Sequence, residues 1–222
     1  MHCYKHFIDG EKSDLPLGKI VCVGRNYAAH ARELNNPLPT SPVLFIKPNT
    51  ALTAIDTQII IPTALGECHF ETEMSLLIGK QLCHCNENEA TAAIAGVGLS
   101  LDLTLRDIQQ DLKDSGLPWE KAKAFDGACP SSAFISQAQA GDLKNQKIRL
   151  YKNGQLHQDG NTSDMLNPVL PLLTYISQFF TLLPGDMVLT GTPAGVGPLQ
   201  AGDKLVLELS DLIHCETEVI SA

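Results

Sequence analysis

The sequence predicts a mostly-β fold of α+β class, a roll or sandwich with a few short helices. Three observations point there. Strand-like runs dominate the chain, helical stretches are short and closed by Pro or Gly, and strands and helices do not alternate regularly. A doubly wound parallel sheet needs that alternation, so it is not indicated.

The elements follow in order. Residues 1–17 read as a short N-terminal extension, and 18–222 as a single domain, a length that suits one sizeable core. "GKIVCVGRNY" (18–27) is a buried strand entering a turn. "AAHAREL" (28–34) is a short helix, stopped by "NNPLP" because Pro37 and Pro39 cannot continue it. "PVLFIKP" (42–48) and "TQIIIP" (57–62) are strands, and "HFETEMSLLIG" (69–79) is a third. In "NENEATAAIAG" (86–96) Asn86 caps a helix, Glu89 completes a capping box and Gly96 ends it. "GVGLSLDLTL" (96–105) is a strand, and "RDIQQDLKDSG" (106–116) a helix ending at Gly116. Residues 147–160 form a hairpin turning at Asn153-Gly154. Residues 167–182 read as a helix opened by proline, and 185–197 as a strand running into a glycine-rich loop. Residues 202–212 and 214–221 are late strands.

Composition narrows the function. Net charge is −9 with no basic run, which argues against a nucleic-acid surface. No segment reaches signal-peptide or membrane-spanning character, so no membrane partner is expected and a cytoplasmic location is. Seven cysteines, an odd number at scattered spacings, read as reduced thiols. "CHC" at 83–85 lacks the second pair that a structural zinc site needs. "TGTPAGVG" (190–197) lacks the Gly-Lys-Ser/Thr of a phosphate loop; its better use is to present backbone and Thr192 hydroxyl donors to a ligand carboxylate.

The chemistry-bearing residues begin in the strand at 69–79. Residues two apart share a strand face, so His69, Glu71, Glu73 and Ser75 oppose Phe70, Thr72, Met74 and Leu76. Two carboxylates about 5 Å apart repel by roughly 3 kcal/mol at an effective dielectric of about 20. No Lys or Arg occurs between Gly66 and Gly79 to offset that. Either the face is solvated or a cation sits there. Asp102 lies on an apolar strand, costly if buried without a partner and unremarked if solvated. Glu71, Glu73 and Asp102 together are a hard-oxygen set suited to Mg²⁺ or Mn²⁺. His30 and Glu33, three apart on a helix, make an oriented imidazole of the kind that acts as a general base, or an exposed surface pair. Arg25, Tyr27, Lys47, Arg106, Gln109 and Lys123 are candidates for contacts to an anionic substrate, which the overall charge would repel.

Taken together, "VCVGRNYAAHARE", "PVLFIKP", "HFETEMSLLIG", "LSLDLTLRDIQQ", "GLPWEKAKAFDGACP" and "LLPGDMVLTGTPAGVGPLQAGD" resemble the fumarylacetoacetate hydrolase family, in its small single-domain acylpyruvase-like branch. The resemblance implies that family's mixed β-roll around one Mg²⁺ or Mn²⁺ per subunit, commonly in a homodimer. It implies Glu71, Glu73 and Asp102 as metal ligands and His30 with Glu33 as a dyad on a lid helix. It implies Lys123 as the polarising residue, Thr192 for the ligand carboxylate, and Arg106 and Gln109 on substrate-contacting positions, with Arg25, Tyr27 and Lys47 beside them. The C-terminal "SDLIHCETEV" departs from the family in lacking a glycine-rich turn.

The expected activity is hydrolysis of the C–C bond of acylpyruvates such as acetylpyruvate or fumarylpyruvate, giving pyruvate and a carboxylic acid. The alternatives are oxaloacetate decarboxylation and isomerisation of a 2-hydroxyhepta-2,4-diene-1,7-dioate-type diene. All three handle a small 2-oxo acid through enolate chemistry, and a dyad that activates water favours hydrolysis. A glycosidase needs carboxylates flanking a sugar bond, which neighbours on one strand face do not provide. A binding module without catalysis would be expected to lack the dyad or Lys123.

Overall fold

The computed structural model describes residues 4–222; Cys3, one of the seven cysteines, lies outside the described residues. Helices are few and short: α1 Ala28–Glu33, α2 Glu87–Ala93, α3 Arg106–Asp114, α4 Glu120–Lys123, α5 Gln137–Ala140 and α6 Val169–Ile176. None is long and apolar enough to cross a membrane. Strands carry the architecture. The first nine are β1 Phe7–Ile8, β2 Glu11–Lys12, β3 Ile20–Gly24, β4 Val43–Lys47, β5 Leu52–Ala54, β6 Ile59–Ile61, β7 Cys68–Phe70, β8 Thr72–Ile78 and β9 Ile94–Leu101. The rest are β10 Thr104–Leu105, β11 Cys129–Ser131, β12 Lys147–Lys152, β13 Gln155–Asn161, β14 Met187–Leu189, β15 Gly197–Pro198, β16 Lys204–Leu209 and β17 Ile213–Ser221.

A seven-stranded mixed sheet runs β4-β3-β14-β8-β9-β11-β5, parallel only at β3/β14 and β11/β5. A five-stranded sheet, β13-β12-β16-β17-β6, packs against β8 and β9. A small sheet, β10-β7-β15, stands at the end where the site forms. The mostly-β expectation holds in this arrangement.

β8 sets the layers because every one of its residues is buried. Met74, Leu76 and Ile78 join Leu99, Leu101, Leu150 and Leu207 in the larger core. Leu77 faces the other way, into a second core with Ile20, Leu189, Phe134 and Tyr4. The period-2 pattern thus separates the faces as the sequence predicts. On the second side Phe134 presses against β9. A Cβ at Gly98 would lie 2.9 Å from Phe134 Cδ1, so only glycine lets the ring approach. The segment before Gly18 lies on this side too: Tyr4 and His6 are buried, and Phe134 N–H donates to Phe7 O.

Several boundaries move. The expected strand 69–79 is two strands, β7 and β8, with Glu71 between them. The expected strand 96–105 breaks at Asp102 and Leu103. Both breaks occur where the chain leaves the seven-stranded sheet for the small one, and Asp102 N–H donates to Glu71 O across them (2.8 Å). The capping box at Asn86 and Glu89 forms, but α2 stops at Ala93 because Ile94 already pairs with Ile78; Gly96 is inside β9. The helix expected over 167–182 is α6 alone, since Leu182 turns away to pair with Leu82. β11 escapes sequence reading because Pro130 sits at its centre. The hairpin turns at Asn153 (φ +53°) and Gly154 (φ +78°) as expected. At the C-terminus, Ser210 (φ +49°) takes the left-handed position, and β17 pairs with β16 from Ile213↔Leu209 to Glu218↔Lys204.

Candidate metal centre and active site

The sheet junction gathers Glu71, Glu73 and Asp102. One carboxylate oxygen from each lies within 4.8 Å of the others, and the three residues are 5%, 2% and 1% exposed. Three buried carboxylates this close are costly without cations. The fold brings three to two of them. Lys123 Nζ, from the end of α4, donates to Glu71 Oε2 (2.8 Å), Asp102 Oδ2 (2.6 Å) and Thr104 Oγ1 (2.6 Å). Arg106 Nη2, at the start of α3, donates to Glu71 Oε1 (2.6 Å), while its Nη1 donates to Gln109 Oε1 (2.7 Å). Lys47 Nζ, from the end of β4, lies 2.8 Å from Asp102 Oδ1 and donates to the carbonyls of Leu103 (3.3 Å) and Lys123.

Glu73 has no ammonium or guanidinium of its own. Its Oε2 accepts from the backbone N–H of Gly191 at 2.5 Å. Gly191 has φ +96°, and a Cβ there would lie 2.7 Å from Asn26 Cβ. Glycine is what lets this loop approach the carboxylate.

The electrostatics diverge accordingly. Burial pushes Glu71 up, but the Lys123 and Arg106 charges outweigh it and hold the carboxyl well below the usual range. Burial pushes Glu73 well above it, and the charges of Asp102 and Glu71 add to the effect. Lys123 is pushed up to about 12: burial opposes its charge, and Asp102 and Glu71 more than restore it. The donor set therefore fits a divalent cation. It is all hard oxygen, Glu73 lacks a cationic partner, and buried Asp102 Oδ1 accepts no hydrogen bond despite its ion pair with Lys47.

Above the carboxylates opens a small cavity. His30, Glu71, Glu73, Lys123, Arg106, Gln109, Arg25 and Thr192 line it, so eight of the twelve residues expected from the sequence meet there. Glu33 completes the dyad. Its Oε2 is 3.2 Å from His30 Nδ1, and its Oε1 accepts from Gly195 N–H (2.9 Å), which ties α1 to the glycine-rich loop. With Nδ1 facing Glu33, Nε2 is the imidazole nitrogen left for substrate.

Three residues are placed differently from expectation. Lys47 is fully buried beneath Asp102 and does not line the cavity. Tyr27 is buried at the entry to α1 with its hydroxyl unpaired, its phenol pushed up by burial and then by Glu73. Thr192 lines the cavity, but its hydroxyl donates to Thr72 O (2.9 Å) and accepts from Gln158 Nε2 (2.8 Å). Sequence reasoning passed over Phe45, Trp119, Asn36 and Lys113, which also line the cavity. Lys113 had a signal, a basic residue one helical turn beyond Gln109.

Comparison with known proteins agrees with this geometry. The model of the fumarylacetoacetate (FAA) hydrolase C-terminal family matches residues 19–220. The chain is 50% identical over 203 residues to the oxaloacetate tautomerase YcgM of Escherichia coli K12, covering 91% of this chain and 93% of that protein. It is 42% identical over 200 residues to the mitochondrial oxaloacetate tautomerase FAHD1 of Bos taurus, 90% of each. A fumarylpyruvate hydrolase from Pseudomonas aeruginosa, crystallised in complex with Mn²⁺ and pyruvate, has a TM-score of 0.93 at 32% identity and covers 100% of this chain and 97% of that one. Because the match spans every residue of the cavity and its carboxylate floor, the chain belongs to the fumarylacetoacetate hydrolase family and is an enzyme of that family.

Proposed function

We propose that the protein catalyses the enol–keto tautomerisation of oxaloacetate, assisted by Mg²⁺ or Mn²⁺. One observation carries the reading: an oriented His30–Glu33 dyad and a buried carboxylate trio serve a single small cavity. The relatives named oxaloacetate tautomerase support the choice of reaction. The sequence-based expectation ranks hydrolysis of acylpyruvates first and does not include tautomerisation; the likeness to named tautomerases reverses that order.

Glu71, Glu73 and Asp102 would hold the cation, which supplies Lewis-acid polarisation to the carboxylate and 2-oxo group of the substrate when bound. Lys123, with its ammonium kept charged among carboxylates, stabilises negative charge developing on the C2 oxygen. His30 moves the carbon-bound proton. In the enol-to-keto direction the enol oxygen releases its proton to solvent, leaving an enolate; the C2–O double bond forms as the C2–C3 double bond gives up its electron pair to a proton at C3. That proton comes from His30 Nε2, and solvent reprotonates the imidazole. Glu33 keeps Nδ1 facing away from substrate and balances the imidazolium. In the opposite direction each step reverses.

Acylpyruvate hydrolysis is the second reading, favoured by the likeness to the fumarylpyruvate hydrolase and by a dyad able to draw a proton from water. The test follows decay of the enol absorbance of oxaloacetate, and pyruvate release from acetylpyruvate and fumarylpyruvate, all with Mg²⁺. The expected result is fast loss of the enol signal with slow or no pyruvate release. Enol decay at the uncatalysed rate beside rapid acylpyruvate cleavage would overturn the first reading in favour of the second.

A further inference from the structure

The cavity has a second charged pole. Its floor holds the carboxylates, and the three cations nearest them, Lys47, Lys123 and Arg106, are committed to those carboxylates. Two further cations, Arg25 and Lys113, line the same cavity. Among the described residues neither forms an ion pair with an acid. The hydrogen-bond partner of Lys113 Nζ is the neutral Asn36 Oδ1 (3.1 Å). The Lys113 ammonium is disfavoured first by burial and then by the charges of Arg25 and Arg106, so these cations crowd one another. Arg25 also holds a left-handed backbone, φ +59°, uncommon for a residue that is not Gly, Asn or Asp. Such strain persists where the surroundings over-determine it, and it gathers at ligand sites. In a chain of net charge −9, cations that line one cavity without an acid to pair with call for an anion.

We propose that Lys113 and Arg25 form a subsite for a second carboxylate, remote from the carboxylate floor, which makes the cavity select dicarboxylic over monocarboxylic 2-oxo acids. The proposal rests on the reading that the 2-oxo acid end of the substrate sits over Glu71, Glu73 and Asp102. Arg106 sets the boundary between the two poles, since it binds Glu71 on one side and crowds Lys113 on the other. An anion there relieves the repulsion between Lys113 and Arg25 as well as pairing with them, and a monocarboxylate leaves it unrelieved.

Calorimetry on the Mg²⁺-loaded full chain with malate and lactate tests this. The two probes share the 2-oxygen and its adjacent carboxylate and differ in the distal carboxylate. The wild type is expected to bind malate at least tenfold tighter than lactate, as one or more charge-assisted contacts predict. Lys113→Met should bring the ratio to within twofold by weakening malate alone, and Lys113→Arg should restore it. Arg25→Asn, compatible with a left-handed backbone, should lower it similarly. For oxaloacetate, Lys113→Met should raise KM about tenfold or more and leave kcat within threefold.

A wild-type ratio near one would overturn the subsite, as would equal weakening of both probes in Lys113→Met. If the malate preference follows Lys113 while the wild type leaves the oxaloacetate enol untouched, the subsite stands and the tautomerase reading falls. If the wild type tautomerises oxaloacetate and Lys113→Met changes neither ratio nor KM, the subsite alone falls.

Discussion

The two faces of β8 are equally dry, and at its Thr72 end, before Leu77 enters the second apolar core, they are chemically opposite. Met74, Leu76 and Ile78 on one face meet leucines, and Glu73 on the other meets Glu71 and Asp102. On the apolar face, stability comes from contact and exclusion of water, spread over many atoms. On the charged face it comes from a few directional partners, and their distribution is uneven. Glu71 and Asp102 have ammonium or guanidinium groups, whereas Glu73 has a backbone N–H. Burial alone therefore does not distinguish core from site. The form of compensation does, and Glu73 is the carboxylate left without a cation of its own.

The largest expected effect comes from breaking that face at its weakest partner. Glu73→Gln should reduce turnover by a hundredfold or more, since Lewis-acid assistance contributes several kcal/mol. It should also abolish the rise in Tm that Mg²⁺ or Mn²⁺ gives the wild type. The metal-free variant should be no less stable than wild type, because a carboxylate crowded by two others has become neutral. Retention of metal-dependent stabilisation would remove Glu73 from the ligand set.

The same contrast explains what the sequence made legible. The β8 faces, the i,i+3 dyad and the hairpin turn each obey a local rule with a fixed period or residue preference, and each stands in the structure. Lys47 obeys none. It closes the strand "PVLFIKP", where the sequence makes it a candidate contact to a substrate anion, and only the tertiary position of Asp102 and of the Lys123 carbonyl turns it inward. Lys113 reads as the polar face of an amphipathic helix, and the walls of the cavity give it another setting. Thr192 lies in the loop the sequence marked, but its hydroxyl is taken by Thr72 and Gln158 from distant strands. The break at Glu71 is likewise a sheet junction, a property of pairing that no window of the sequence contains.

Lys47 sharpens the comparison next. Removing one partner of a buried ion pair costs about 3–5 kcal/mol, more than a typical substitution. Lys47→Met should lower the metal-free Tm by roughly 10 °C for a chain of this size. The same substitution should slow turnover, because Lys47 also anchors the Lys123 carbonyl. An unaltered Tm would show that the Asp102 charge is compensated from elsewhere. On the apolar face, Leu76→Ala should cost about 3 kcal/mol through lost contact and a residual cavity. Its metal-dependent Tm rise should remain that of wild type, which is the outcome Glu73→Gln must not share.

The smallest effect tests how far the second layer extends behind the carboxylates. His6 is buried edge-on to Phe134, with both ring nitrogens short of hydrogen-bond geometry. Burial lowers its pKa, and the carbonyls of Gly185 and Pro16 oppose the shift without cancelling it. The unfolded chain therefore holds the His6 proton at a higher pH than the folded one does. Stability from the neutral ring is fully present above about pH 6.5 and is lost as pH falls below it. Replacing the ring by an apolar side chain, His6→Leu, should flatten the fall in Tm between pH 7 and pH 5, while enol–keto turnover at pH 8 stays unchanged. A wild-type Tm that is already flat over that interval would mean that His6 accepts a proton in place, and that the layer holding Tyr4 and Phe134 tolerates a charge which the face of Met74 and Leu76 does not.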